Sequence, residues 1–527
     1  MNSRPDLAGA QPGHRQFGTG PGRRAARRGG QFGTGAGRRA ARRGGRGGWL
    51  AAAVLIIGAL MDMIDLTIVN VALPTIRRDL HASATSLEWV ISGYMLAFAA
   101  ALIVAGSLGD RLGRKRVFLF GVGLFGVASL AAGLSQTAAE LIACRVVQGA
   151  GAAAMAPQVL ATFRTIFAPK ERGQAFGLYG AMLGVASAVG LLVGGVLTEA
   201  NLFGWSWRSV FFVNVPVAVI ALAAGIRLIP ETRDPAARRP DLPGGVLLAS
   251  SLVAIVYPLL EGRELGWPWW TWVLLAAGVV GLGLLARREA TRSRPDIAPL
   301  LQPRLFKIPA FSAGLGVQLM FSAGIQGFFL TFALWLQAGE HFTPLRAGVT
   351  AVAFSVGSFM VAAFAVPMAL RYGRRVLVIG AALMVAGMAG VLLGSGHVTT
   401  AGHPWAAVPG LVVAGAGLSL LVIPLVNVVL AAAPASAAGA ASGLFSTAQQ
   451  LGGALGVAVT GTVYFGYLGQ GHSFADAFRH TGPYSLGAFA LCGVLALLLP
   501  RTAVSDDVLT GAEEPEAPSI DAVPASR

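Results

Sequence analysis

Apolar stretches of roughly 20 residues, parted by short polar or basic segments, follow one another along the chain from Trp49 to Pro500. A stretch of that length crosses a hydrocarbon core of about 30 Å as a helix, since each residue advances the axis by about 1.5 Å. The pattern predicts fourteen spans, at 49–73, 87–108, 116–134, 139–161, 175–198, 209–229, 243–260, 269–286, 310–336, 347–370, 374–394, 405–432, 442–466 and 484–500. Two longer polar breaks group them. PETRDPAARRPDLPGG (230–245) follows the sixth span, and RREATRSRPDIAPLLQPRLFKIP (287–309) precedes the last six. The expected fold is an all-α membrane protein laid out as six, two and six. A six-helix domain (49–230) and a second one (310–500) flank a linker region with two extra central helices (231–309). An Arg/Gly-rich tail (1–48) and an acidic, proline-containing tail (501–527) lack the apolar content to fold and are expected to be disordered.

Composition strengthens this picture. Of 527 residues 55% are hydrophobic and 12% charged, where a soluble domain carries about 25% charged residues. A soluble protein of this size could not cover its surface with so few charges. With the N-terminus placed in the cytoplasm, the inner loops hold 21 Lys and Arg and the outer loops six, the asymmetry that fixes orientation in membranes. Both termini are therefore expected inside, in a multi-pass protein of the cell (inner or plasma) membrane. No leader with a small-residue cleavage site stands at the start, so the first helix is expected to serve as its own insertion signal.

The net charge of +16 comes largely from the first tail, where QFGTGPGRRAARRGG (16–30) recurs as QFGTGAGRRAARRGG (31–45). With only Phe17 and Phe32 for aromatic interleaving, the tail suits anionic lipid headgroups better than a nucleic acid, and none is expected as a partner. Cys144 and Cys492 are far apart, and the histidines fall in predicted loops or the tail, so no metal site is expected. No GxxxxGK[ST] pattern occurs, which leaves no phosphate loop for ATP, and no cofactor is expected.

Against that apolar background two acids stand out in the first span, Asp62 and Asp65 in ALMDMIDLTIVN (59–70). They lie about 60° apart on a helix and roughly 20–24 Å along it from Trp49, so both can face one cavity beyond the midplane. A carboxylate at a bilayer centre costs at least about 2.5–3.5 kcal/mol, so such residues pair or carry function. Burial favours the neutral carboxyl, a second carboxylate nearby favours it further, and an opposing cation favours the ion. Arg145 is the one basic residue inside a predicted span and away from its ends. An Asp that binds a proton in one conformation and pairs with Arg145 in another is a coupling device.

The loop after the second span, GSLGDRLGRKRVFLFG (106–121), combines Gly106 and Gly109, which allow helix ends to approach, with Asp110 within reach of Arg114. A weaker echo, MALRYGRRVLVIG (368–380), occupies the equivalent place in the second half and suggests two related halves. Polar side chains in the spans, Asn70, Tyr94, Gln148, Gln318, Gln326 and Gln449, could line a cavity for an amphiphilic small molecule.

GSLGDRLGRKRV resembles the signature loop between helices two and three of the major facilitator superfamily. IDLTIVNVALP (64–74), RVVQGAGAA (145–153), WSWRSVFFVNVPVAV (205–219) and GAASGLFSTAQQLGGALGVAV (439–459) resemble motifs of its fourteen-helix drug:proton antiporters, the multidrug efflux subfamily. The resemblance covers 49–500 and implies a monomeric transporter driven by the proton gradient, with Asp65 at the family's helix-one aspartate position, Asp62 as an extra acid, and Arg145 as the helix-four arginine. It also implies a gating loop of Gly106, Asp110, Arg111, Gly113 and Arg114, and a helix-packing motif at Gly184, Gly190, Gly194 and Gly195. In GLLVGG (190–195) the chain departs from that motif, with Leu191 where the exporters carry proline. The expected activity is export of amphiphilic drug-like compounds or metabolites by alternating access, with antibiotics among the candidates. A facilitator-type importer or uniporter uses the same layout. A membrane sensor is the reading from another class, although neither tail offers an output domain. An enzyme would need convergent nucleophiles or ligands in the spans, which are not found.

Overall fold

The computed structural model describes residues 46–233, 237–291, 297, 300, 302–398, 404–434 and 437–500. Both tails, with the duplicated basic stretch, lie outside these. Helices occupy all fourteen expected positions: α1 (Arg46–Asp79), α2 (Ala84–Leu112), α3 (Arg114–Leu134), α4 (Ala138–Ile166), α5 (Pro169–Ala200), α6 (Asn214–Leu228), α7 (Leu242–Glu261), α8 (Trp269–Thr291), α9 (Pro309–Leu334), α10 (Pro344–Tyr372), α11 (Arg375–Gly394), α12 (Val408–Ala431), α13 (Ala438–Gly469) and α14 (Phe474–Ala496). Among the described residues twelve helices are long and apolar enough to cross a membrane. The two outside that group are α5, within which only Ala188–Ala200 qualifies as a shorter apolar stretch, and α14. One isolated bridge, Arg239 to Ile297, is the nearest approach to a strand among the described residues.

Local sequence explains where the helices begin. Ser83, Thr137, Thr343 and Ser473 each accept a hydrogen bond from the backbone N–H three residues on, satisfying donors that a first helical turn leaves free. The Ser473 cap moves the start of α14 ten residues ahead of the expected 484, so its polar opening turns are helical and Asp476, Arg479 and His480 lie on them. Asp476 is thus an acid on a helix of the second half, at its exposed end. His480 likewise sits on a helix and not in a loop, stacked on Tyr467 with ring centroids 4.3 Å apart.

The two halves use the same pairing. In the first, α1 packs on α5 and α6, α2 on α4, and α3 on α4 and α6; in the second, α9 packs on α13 and α14, α10 on α12, and α11 on α12 and α14. Each helix of one half thus has a counterpart six spans along in the other, counting without the central pair. The halves meet through α2 against α13 and α5 against α10, which exchange under that correspondence. The central pair packs on itself, and α7 lies along the seam, touching both α2 and α13. Asp241 caps α7 and binds Arg288 of α8 at 2.5 and 2.9 Å, which ties the hairpin at its open end.

Candidate transport site

Asp65 lies on α1 with no exposed surface, and Arg145 reaches it from α4, itself 1% exposed. The two form an ion pair through one guanidinium nitrogen. A buried charge pair is tolerated only where the remaining lone pairs and protons find partners, and they do here. The other Asp65 oxygen accepts from Gln148 Nε2 at 2.8 Å and from Asn214 Nδ2 at 3.0 Å. Arg145 Nε donates to the Val90 carbonyl of α2 at 3.0 Å, and its Nη1 also donates to Gln148 Oε1 at 2.7 Å. Ser129 of α3 accepts from Gln148 and Asn214 at 3.3 and 3.1 Å and donates to the Phe211 carbonyl at 2.9 Å. Five helices, α1, α2, α3, α4 and α6, therefore meet in one hydrogen-bonded cluster.

Asp62 takes a different partner. It accepts from the Tyr94 hydroxyl, and the Tyr94 ring lies under the Arg145 guanidinium at 4.2 Å. The tyrosine touches Asp62 itself and Arg145, the partner of Asp65, so the two carboxylates are linked through one aromatic ring. This departs from a free polar cavity lined by Tyr94 and Gln148, because both are committed to the charge cluster. Asn70 is also engaged, donating to the Leu66 carbonyl of its own helix at 3.1 Å. Gln318 is buried and donates to Ser322 at 3.1 Å, while its carbonyl oxygen has no partner among the described residues. Gln326 and Gln449 are half-buried on α9 and α13. A β-carbon built on Gly453 would meet Met95 and Gln326 at 2.7 and 3.2 Å, so Gln326 lies where α2, α9 and α13 converge.

A profile of the Major Facilitator Superfamily matches residues 55–457 and 315–523. The chain belongs to that superfamily. It is 38% identical over 426 residues to a probable actinorhodin transporter of Streptomyces coelicolor, covering 80% of this chain and 73% of that one. With a puromycin resistance protein of Streptomyces alboniger it shares 36% identity over 492 residues, 89% of this chain and 95% of the other. A tetracenomycin C resistance and export protein of Streptomyces glaucescens is 34% identical over 433 residues, covering 80% and 77%. Among solved structures a peptide transporter crystallised with sulfate superposes with a TM-score of 0.61 at 15% identity, over 85% of this chain and 93% of the other. A D-xylose–proton symporter gives 0.61 at 13% identity, over 86% and 98%. At such identities these likenesses concern the fold alone. The chain is a multi-pass membrane transporter of this superfamily.

The family loop is built around α3's start. Asp110 and Arg114 form an ion pair at 2.8 Å, and Arg114 also donates to the Ala161 carbonyl of α4 at 3.1 Å. Gly113 has φ +115°, a backbone shape that side chains resist, and Glu231 fills the space a β-carbon would need. Gly109 lies against Gln158, while Gly106 makes an ordinary contact with Pro157 at 3.8 Å and Arg111 is exposed. These neighbours all belong to the first half and the segment after it.

The α5 glycines divide by partner. Gly190 and Gly194 lie against Thr67 and Ile68 of α1, whereas Gly195 meets Leu345 of α10 at 2.7 Å from a built β-carbon. Gly184 is on the same helix, with its surroundings outside the described residues. Leu191, in the proline position, turns its carbonyl to Gly348 of α10. Sequence reasoning passed over Ser129, Asn214 and Glu88. Asn214 stood inside a quoted motif, and an amide between apolar helix turns is the signal that could have raised it. Ser129 in an alanine- and glycine-rich helix carries no signal at all.

Proposed function

We propose that the protein exports amphiphilic, drug-like small molecules in exchange for protons, by alternating access between its two six-helix halves. The buried Asp65–Arg145 pair carries this reading. Protonation of Asp65 removes one charge of the pair and frees Arg145, Gln148 and Asn214 to rearrange, so one proton reorganises five helices. Asp62 is the secondary acid, tied to the same arginine through Tyr94, and tunes acceptance of cationic against neutral substrates. Names of relatives support the direction, since one is described as an export protein and others as transporters or resistance proteins.

The energetics suffice. A proton entering down about 100 mV releases about 2.3 kcal/mol, close to a fiftyfold accumulation before any pH difference is added. Two hydrogen bonds cross between halves at the outer end, Gln337 to the Val71 carbonyl at 2.9 Å and the Leu345 N–H to Glu199 at 3.1 Å. Together with the Leu191–Gly348 and Gly195–Leu345 contacts they suit a state closed to the outside. The ionised, paired Asp65 then corresponds to a carrier that has released its proton inward. Accumulation of cationic and neutral dyes in inverted vesicles, with and without an uncoupler, tests the reading. Uncoupler-insensitive accumulation would discard it.

A further inference from the structure

Glu88 has no part in the cluster described above. It lies four residues into α2, in the seam where α2 meets α13, with no exposed surface, and neither carboxyl oxygen has a hydrogen-bond partner among the described residues. Its carboxyl presses against Gly461 of α13, where a built β-carbon would overlap it. The side chain therefore fills the interface between the halves, at the end where the other cross-half contacts gather.

The end of α7 straps this point from outside. Thr85 donates to Glu264 at 2.6 Å and Trp89 to Glu261 at 2.9 Å, while Thr462 of α13 donates to the Leu259 carbonyl at 2.8 Å. One helix end thus holds the first half at Thr85 and Trp89 and the second at Thr462. Arg263 stands between these partners, 3.7 Å from Glu264 and 5.4 Å from the Phe465 ring. It lines a cavity of about 600 Å³ with Arg77, Phe465 and His472 at the same end. The charged and titratable groups around Glu88 are accordingly Glu261, Arg263 and Glu264 from α7 and the turn after it, and Tyr464 one turn on along α13, whose buried hydroxyl also has no partner.

An isolated carboxylate in such a dry seam is far costlier than a neutral carboxyl. We propose that Glu88 is a proton-operated latch on the outer face: it binds a proton from the outer compartment as α2 and α13 close, and returns it there when they part and Arg263 can receive the ion. The proton leaves on the side from which it came, so the latch adds nothing to the number transported. It makes closure depend on external pH and gives the central hairpin a task, holding both halves at the point where the latch acts. The proposal rests on the alternating-access reading.

The test is the distance between spin labels at Phe203 and Trp405, exposed on outer loops of the two halves, in reconstituted protein with Cys144 and Cys492 replaced by serine. In the otherwise unmodified chain the separation should lengthen as pH rises. In Glu88→Gln, which mimics the protonated form, the substrate-free distance should stay short at every pH while substrate still opens the outer face, and protons exchanged per substrate stay unchanged. Glu88→Leu should behave alike, so a folding failure of one variant leaves the other. Infrared difference spectra supply an independent reading, as the carbonyl stretch of a protonated carboxyl should vanish in Glu88→Gln. A Glu88→Gln protein that opens with pH like its parent overturns the latch and leaves the transport reading intact. A parent whose outer distance never changes, with pH or substrate, overturns both.

Discussion

At the scale of residues, the proposed transport turns on which carboxylates carry charge and what holds them. Asp65→Asn keeps the shape of the side chain and loses its titration. It should abolish proton-driven accumulation while leaving membrane expression near normal, since the amide oxygen can still accept from Arg145 and its N–H2 can donate to Asn214 once that neighbouring amide turns. Asp65→Ala should differ by lowering stability as well, by about 3–5 kcal/mol, because it strands Arg145 in a dry site; thermal melting in detergent separates the two variants. Tyr94→Phe removes the hydrogen bond to Asp62, whereas Asp62→Asn keeps an acceptor oxygen and removes the titratable charge; both should lower transport of cationic dyes more than of neutral ones. Accumulation that persists in Asp65→Asn would assign the coupling elsewhere. The acids and the arginine of this site were legible in the sequence because charge in an apolar run is conspicuous. Ser129 was not, since a serine costs little anywhere, and Glu88 escaped notice because it sits near a span's end, where a polar residue ordinarily faces water.

Among the helices, the same glycines that were legible as a packing motif prove to serve two different surfaces. Gly190 and Gly194 seat α5 on α1 within a half, and Gly195 with Gly348 seats α5 on α10 across the halves. Gly348→Val should therefore push α5 and α10 apart at the outer end and raise the reactivity of a cysteine placed at Leu345. Gly190→Val should instead lower stability, with no preference for either face. Asp110→Asn weakens a half-exposed ion pair, worth about 1 kcal/mol to stability, so its effect should show in turnover. Transport per folded molecule should fall while expression stays close to the parent's; a normal rate would leave Asp110 with a topological role only. Span positions were readable because hydropathy alone sets them. The start of α14 was not, because Ser473 extends the helix through polar turns that hydropathy places outside.

For the molecule as a whole, the six, two and six layout follows from composition and breaks in the pattern, whereas the pairing of α2 with α13 and α5 with α10 depends on packing between distant segments. In the proposed exchange, that pairing is what links a proton on one side of the membrane to a substrate on the other. The most direct test loads liposomes containing the purified protein with a dye that the vesicle assay accumulates, at equal pH on both sides and with the potential clamped. Dilution into dye-free buffer then lets the substrate run out. Antiport predicts that the lumen acidifies as dye leaves, that the response disappears in Asp65→Asn, and that it survives in Glu88→Gln. Dye efflux with an alkaline or unchanged lumen would contradict proton exchange and point to symport or uniport.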